Sequence, residues 1–143
     1  MEQRKRTVMM ALNRTRRAWL DHTKAVAREI GIPESYREII SYLHRHPGAN
    51  QKNIAEFCNV TTAAINQTIK DMVAGGYVQK ETDEADRRYT KLFLTEKGEA
   101  TASKVRERLY ISDQVITTAI TSEKEEEMIA LLDKIHDLIR RDL

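Results

Sequence analysis

Two adjacent arginines occupy an unusual place in this chain of 143 residues. Arg87 and Arg88 lie within DEADRRYTKLFLTEKG, residues 83–98, between a cluster of charges and a run of alternating apolar and polar side chains. The segments YVQKET and YTKLFLT alternate as β-strands do, with a polar turn between them. The passage therefore predicts a β-hairpin with both guanidinium groups at its tip. The chemistry expected of such a tip is contact with DNA.

A second candidate set of residues precedes the hairpin. QKNIAEFCNVTTAAINQTIKDM, residues 51–72, has the features of a helix-turn-helix. Ala55 is small where two helices must cross closely, and Asn59 tolerates the left-handed backbone that the turn requires. Val60 and Ile65 are apolar where the second helix is expected to pack onto the first. Taken alone, the pattern also fits a helical hairpin without any nucleic-acid role.

The outward face of the second helix is expected to be polar. If the apolar residues Ile65, Ile69 and Met72 face inward, the outward residues are Thr62, Ala63, Asn66, Gln67 and Lys70. Asn and Gln can pair with adenine, Lys can reach guanine or phosphate, and a methyl group can contact thymine. A solvated polar face is the alternative interpretation. The basic hairpin that follows directly favours DNA binding.

Local signals predict the elements that position these residues. Asn50 is suited to begin one short helix, Thr61 or Thr62 the next, and Thr95 the helix after the hairpin. Before them, Ile39, Ile40 and Leu43 mark a helix that ends at HRHPG. The order predicted for this middle part is helix, short helix, turn, helix, hairpin.

Long amphipathic segments flank this middle part. Apolar or semi-apolar side chains recur every three or four residues, which predicts long helices on both sides. The first stripe consists of Val8, Leu12, Thr15, Trp19, His22, Val26 and Ile30. Two more stripes run over residues 102–119 and 128–139, and Ser122 with Glu125 has the spacing of a capping box that begins the last helix. Such stripes favour packing in a dimer, with an intramolecular bundle as the alternative.

Residues 36–98 closely resemble the winged helix-turn-helix of the MarR (multiple antibiotic resistance regulator) family of transcription factors, and the likeness extends loosely over the whole chain. The hairpin is its most specific part. There the family's spacing is matched by Asp83, Asp86, Arg87 and Arg88, followed by the LTEKG motif at residues 94–98. Joined to an upstream helix-turn-helix, this combination is a strong signal.

The resemblance implies a mainly α fold with a small β-hairpin wing. A winged helix-turn-helix over residues 33–95 would lie between dimerisation helices at residues 1–31 and 96–143. The resemblance further implies that Arg88 enters the minor groove, that Asp86 holds this arginine in place and that Arg87 contacts phosphate. Thr62, Ala63, Asn66 and Gln67 match the exposed start of the recognition helix.

The function implied is that of a sequence-specific, bacterial-type transcriptional regulator, expected to be a repressor. It would bind a pseudo-palindromic operator in double-stranded DNA as a homodimer and be released by a small, often aromatic effector. The alternative is a winged-helix protein-interaction module that does not bind DNA. The sequence has no nucleophile–base constellation, phosphate-binding glycine loop or metal motif, so we expect neither an enzyme nor a cofactor.

Trp19, Tyr36, Tyr42 and Tyr110 are candidates to line an effector cleft, but aromatic residues at helical spacing more often belong to a core, which is the favoured interpretation. Cys58 is expected to be a small buried hydrophobe rather than a redox sensor. The four histidines have no metal-ligand spacing, which predicts no metal site.

Composition supports a folded, intracellular protein. The chain is 41% hydrophobic and 32% charged, has a net charge of +2 and contains one cysteine. It lacks the apolar run of about 20 residues that spans a membrane and the apolar stretch of a signal peptide. We therefore expect it in the cytoplasm, without membrane association.

Overall fold

The computed structural model describes residues 6–142, without the side chain of Asp142. Within this range the chain forms six helices and one antiparallel hairpin, so the predicted mainly α fold with a β-hairpin is confirmed. The elements are α1 (Val8–Ile30), α2 (Glu34–Arg45), α3 (Gln51–Cys58), α4 (Thr62–Ala74), β1 (Val78–Thr82), β2 (Thr90–Leu94), α5 (Glu96–Ile120) and α6 (Ser122–Asp142).

The chain divides into two compact units. The first is Met1–Glu107, which contains α1 to α4, the hairpin and the first half of α5. The second is Arg108–Leu143, which contains the rest of α5 together with α6. The candidate DNA-binding residues all lie in the first unit. No helix among residues 6–142 has the length and mean hydropathy required to cross a membrane.

Side-chain caps begin the short helices where the sequence predicts them. The side chain of Asn50 accepts a hydrogen bond from the backbone N–H of Asn53, whose own side chain accepts from the N–H of Asn50. Thr61, not Thr62, caps α4 by accepting from the N–H of Ala64 at 3.2 Å. Each cap satisfies a backbone donor that the first helical turn would leave without a partner.

The turn between α3 and α4 depends on Asn59. This residue ends α3 with φ 54° and ψ 47°, the left-handed conformation predicted for it. The prediction that Val60 packs between the helices is wrong, because its side chain is 47% exposed. The backbone N–H of Val60 donates a 3.1 Å hydrogen bond to the carbonyl of Ala55, which closes the turn. Ile65, which is buried, provides the apolar contact between the two helices.

The core of the first unit lies where α2, α3, α4 and the hairpin meet. Ile40, Leu43, Ile54, Ile69 and Leu92 are completely buried, and each such side chain contributes roughly 1.5–3 kcal/mol by leaving water. The inward residues predicted for α2 and α4 are confirmed. The core therefore fixes which face of α4 points away from it.

Only the last turns of α1 join this core. Val26 is buried as expected, but its buried companions are Thr23 and Ala27 rather than the predicted His22 and Ile30. Thr23 is satisfied, since its hydroxyl donates to the carbonyl of Leu20 and lies 3.2 Å from a carboxylate oxygen of Glu34. Along the first turns of α1 the predicted stripe is exposed or half-buried, at Val8, Leu12, Thr15 and Trp19, so its packing in a dimer stays a prediction.

The hairpin is anchored at its base and projects at its tip. β1 pairs with β2 in the register Val78↔Leu94 to Thr82↔Thr90. Val78 and Leu94 are buried at the base, while Thr82 at the far end of β1 is exposed. The backbone of Leu92 also pairs with Ala49, which ties the hairpin to the segment after α2. We refer to residues 78–94 as the wing.

Candidate nucleic-acid interface

The face of α4 opposite the core forms the first part of the candidate interface. Ile65, Ile69 and Met72 are buried, and the helical repeat places Ala63, Gln67 and Lys70 on the opposite side, where all three are exposed. Thr62 is exposed in the first turn. Asn66 differs from the expectation of a fully outward side chain, since it is half-buried on the flank of the helix.

The amide of Gln67 is not free on this face. Its Nε2 donates a 3.0 Å hydrogen bond to Oδ1 of Asp71, one turn further along α4. Asp71 was not among the predicted site residues, although glutamine and aspartate four residues apart are neighbours on a helix and commonly pair. The candidate interface therefore contains a carboxylate among its polar and cationic groups.

The wing carries an arginine held in a defined orientation. Nε and Nη2 of Arg88 donate to Oδ1 and Oδ2 of Asp86, each at 3.0 Å, and the backbone N–H of Arg88 donates to Oδ1 at 3.1 Å. The Arg88 side chain is nevertheless 88% exposed. These hydrogen bonds lower the pKa of the Asp86 carboxyl group and raise that of the Arg88 guanidinium group. The pair is thus charged and oriented while the arginine remains available to a ligand.

The turn of the wing is built by local hydrogen bonds. The backbone N–H of Ala85 donates to the side chain of Asp83, and the N–H groups of Asp83 and Tyr89 donate to the carbonyls of Tyr89 and Asp86. Arg87 is exposed next to Arg88. Tyr89, which was not a predicted site residue, is also exposed, and its position directly after the arginine pair is the sequence signal that could have identified it.

The start of α5 joins the end of α4 to the base of the wing. The ammonium group of Lys97 donates to the carbonyl of Gly75 at 2.7 Å and lies 4.2 Å from the ring centre of Tyr77. The hydroxyl of Thr95 donates to the carbonyl of Gly76 and accepts from the N–H of Gly98. Residues of the LTEKG motif thereby connect the helix and the wing that carry the candidate residues.

Three of the four candidate effector-cleft residues contact different aromatic rings. The distance between ring centres is 5.5 Å for Trp19 and His22 and 4.7 Å for Tyr42 and Phe57. The rings of Tyr36 and Tyr77 meet edge-to-face, with their centres 5.6 Å apart. Tyr110 belongs to the second unit, where it is exposed. Burial, followed by the nearby carboxylate of Asp71, raises the pKa of Tyr36. The shared effector cleft stays a prediction.

Cys58 differs from its expected environment. It is half-buried rather than buried. Burial raises the pKa of its thiol to about 11, with a further increase from Glu38 and an opposing effect of Arg37. The thiol is therefore protonated near neutral pH. Among the described residues, no group of three or more His, Cys, Asp or Glu side chains is placed to hold a metal ion.

Comparison with known sequences places this architecture in a family. A model of the MarR family matches residues 30–88, which include α2 to α4 and most of the wing. The HTH-type transcriptional regulator YybA of Bacillus subtilis, described as uncharacterised, is 33% identical over 100 residues, which are 70% of this chain and 67% of YybA. These relatives are regulators of transcription and not enzymes, as predicted.

Solved structures have the same fold at low sequence identity. A MarR transcriptional regulator of Methanosarcina mazei has a TM-score of 0.80 at 20% identity, covering 95% of this chain and 98% of its own. The repressor CouR, bound to a 23-mer DNA duplex, has a TM-score of 0.78 at 18% identity, covering 91% and 92%. The MarR family protein Rv2887 of Mycobacterium tuberculosis, in complex with salicylic acid, has a TM-score of 0.71 at 19% identity, covering 90% and 96%. The chain therefore belongs to the MarR family of DNA-binding transcriptional regulators and has their winged helix-turn-helix fold.

Proposed function

We propose that the chain acts as a homodimeric repressor that binds a pseudo-palindromic operator. In each subunit α4 lies in the major groove, and the wing reaches the adjacent minor groove. The helix-turn-helix and wing, residues 33–95, form the DNA-binding domain, and residues 1–31 and 96–143 form the dimer. Residues 1–5 and Leu143 within these ranges lie outside the described part of the chain.

The Asp86–Arg88 pair is the observation that carries the proposal. A guanidinium group that is oriented before binding loses little side-chain freedom when it meets DNA. The Asp86 carboxylate accepts hydrogen bonds from the Arg88 guanidinium group, yet the Arg88 side chain at the tip of the wing remains 88% exposed. A narrow minor groove has an enhanced negative potential that attracts such a group. Arg87, exposed beside it, is suited to a phosphate of the backbone.

The exposed face of α4 supplies the complementary groups for the major groove. Ala63 is small, which allows a close approach, and its methyl group suits the methyl of thymine. Gln67 has donors and an acceptor for the edge of adenine, and Lys70 can reach guanine or phosphate. Thr62 and Asn66 flank these residues as further candidate contacts. The proposed base contacts thus come from one helix held on a rigid core.

Exposed apolar side chains support the homodimer. In the second unit they are Tyr110, Ile111, Val115, Ile116, Met128, Ile129, Leu131, Leu132, Leu138 and Ile139. Val8, Met9 and Met10 of α1 are exposed as well. Apolar residues repeated along helices in this way are usually covered by a partner. A dimer would place two recognition helices on half-sites about 34–36 Å apart.

Release by an effector completes the proposal. Rv2887, which has the same fold, is in complex with salicylic acid. By analogy, a small aromatic acid would bind this chain near Trp19, Tyr36, Tyr42 or Tyr110 and lower its affinity for DNA. The regulator would act in the cytoplasm, where its operator is accessible.

Selection of binding sites from random duplexes, followed by salt titration, tests the proposal. We expect an inverted repeat with half-site centres about one helical turn apart, and an affinity that falls as salt rises because phosphate contacts release counterions. If the purified chain ignores every duplex at low ionic strength, DNA binding is refuted. A winged-helix protein-interaction module would then be the better description.

A further inference from the structure

We propose that Asp71 is a positioning residue that holds the side-chain amide of Gln67 in one orientation. As a result, α4 distinguishes an A·T base pair from a T·A base pair at the position that Gln67 contacts. This inference deepens the proposed function and rests on it. It concerns a residue whose negative charge would by itself oppose binding to DNA.

The hydrogen bond between the two side chains determines the orientation of the amide. A carboxylate has only acceptor atoms, so the group of Gln67 that faces Oδ1 of Asp71 at 3.0 Å must be the NH₂ group. The reversed amide would bring its Oε1 against the carboxylate, where two acceptors repel. Without this partner, a glutamine amide can turn over and exchange its donor and acceptor positions.

The paired amide still has what base recognition needs. One of the two N–H groups is engaged by Asp71, and the other N–H and Oε1 remain, which is one donor beside one acceptor. Adenine presents the matching pattern in the major groove, an N7 acceptor beside an N6 donor, whereas guanine presents two acceptors. Because the positions of the free N–H and Oε1 of Gln67 are fixed, adenine on one DNA strand pairs with this amide better than adenine on the other strand.

The negative charge of Asp71 does not increase the affinity for DNA, so affinity does not explain the residue. Asp71 is exposed on α4, and a negative charge there repels phosphate. Aspartate is also among the poorer helix-forming residues in a helix interior. Neither property favours tight binding or a stable helix, whereas orienting Gln67 favours discrimination between base pairs.

The test is a matrix of protein variants and duplexes, read by fluorescence anisotropy. The full chain and its variants Asp71→Ala, Gln67→Ala and the double variant are measured on the duplex selected by the wild-type chain. They are also measured on duplexes with each half-site base pair replaced in turn, and on an unrelated duplex.

Alanine favours helix, so Asp71→Ala is expected to fold, which circular dichroism checks. Glu56→Ala is the matched control, because it removes an exposed carboxylate of α3 in the same helix-turn-helix.

We expect the wild-type chain to discriminate strongly at one A·T pair per half-site, and Gln67→Ala to remove that discrimination. Asp71→Ala should reduce it roughly three- to tenfold at that pair alone, while binding to the unrelated duplex strengthens because a negative charge is gone. In the Gln67→Ala background, removing Asp71 should leave the discrimination at that pair unchanged. Glu56→Ala should preserve the wild-type discrimination.

Two results would overturn the inference while the proposed function stands. One is that Asp71→Ala changes the affinity for all duplexes by the same factor, which is the effect of charge alone. The other is that Gln67→Ala alters discrimination at no base pair. If the wild-type chain binds no duplex at all, the proposed function itself fails, so the two failures are distinguishable.

Discussion

At the residue scale, the orientation of Arg88 depends on a carboxylate two residues away. Asp86 receives three hydrogen bonds from Arg88, two from the guanidinium group and one from the backbone. Such short-range pairing restricts an otherwise mobile side chain at the cost of part of its attraction for DNA. The proposed contact of Arg88 with the minor groove thus relies on a preorganised side chain rather than on a large excess of positive charge.

Replacing Arg88 by alanine should weaken binding to the selected operator roughly 10- to 100-fold, because the proposed minor-groove contact would be lost in both subunits of the proposed dimer. Fluorescence anisotropy measures the change, and circular dichroism should report an unchanged helix content. Lys104→Ala removes one exposed positive charge from α5 and serves as the control, with little effect expected. Equal losses in both variants would mean that Arg88 acts only through net charge.

The thiol of Cys58 provides a prediction about pH. Because burial raises its pKa to about 11, little thiolate exists at neutral pH, and alkylation by iodoacetamide should be slow there. The rate should increase as the pH rises towards 11, provided that circular dichroism reports a folded chain. Rapid labelling of the folded protein at pH 7, with denatured protein as the reference, would contradict this assignment and reopen a redox role.

At the element scale, the LTEKG motif explains why α4, the wing and α5 keep a fixed arrangement. Lys97 and Thr95 bond to the backbone carbonyls of Gly75 and Gly76. Gly98 allows the close approach, since a Cβ atom added there would lie 2.2 Å from the carbonyl oxygen of Tyr77. The requirement at Gly98 is therefore space next to a neighbouring backbone.

Gly98→Ala should lower the free energy of unfolding by about 1–3 kcal/mol. The gain in helix propensity, about 1 kcal/mol, should not compensate for a clash with backbone that cannot rotate away. Urea unfolding measures the effect. Ser103→Ala, at an exposed position of α5, is the control and should be neutral or slightly stabilising. Unchanged stability of Gly98→Ala would refute the close-packing explanation.

At the scale of the whole molecule, the second unit leaves many apolar helical side chains exposed. None of the described residues of α6 is buried, and its apolar side chains Met128, Leu131 and Leu138 are about half exposed. Helices with unburied apolar side chains usually obtain most of their stability from packing against a partner. The proposed homodimer supplies that partner.

Leu131→Glu should weaken the dimer by at least tenfold in Kd, because a carboxylate would be buried in the proposed interface. Light scattering coupled to size-exclusion chromatography measures the mass, and operator binding should fall with it. Lys134→Gln makes the same change in net charge on α6 and should leave the dimer intact. An unchanged Kd for Leu131→Glu, measured by diluting both proteins until the wild-type dimer dissociates, would exclude Leu131 from the interface.

What the sequence determined by itself was mostly local. The caps at Asn50 and Thr61, the left-handed turn at Asn59 and the inward residues of α4 follow from neighbours within about one helical turn, and such rules hold wherever the segment lies. The pair of Gln67 and Asp71 obeys the same short-range rule and could have been predicted.

Only the tertiary structure decided what depends on distant segments. The exposure of Val60, the burial of Thr23 instead of His22 and the space required at Gly98 each depend on which element lies alongside. The predicted helical stripe of α1 did not indicate which of its turns would meet α2. The periodicity of apolar residues identifies a helix face that is able to pack. Whether another element covers that face depends on segments distant in sequence, which only the folded chain brings together.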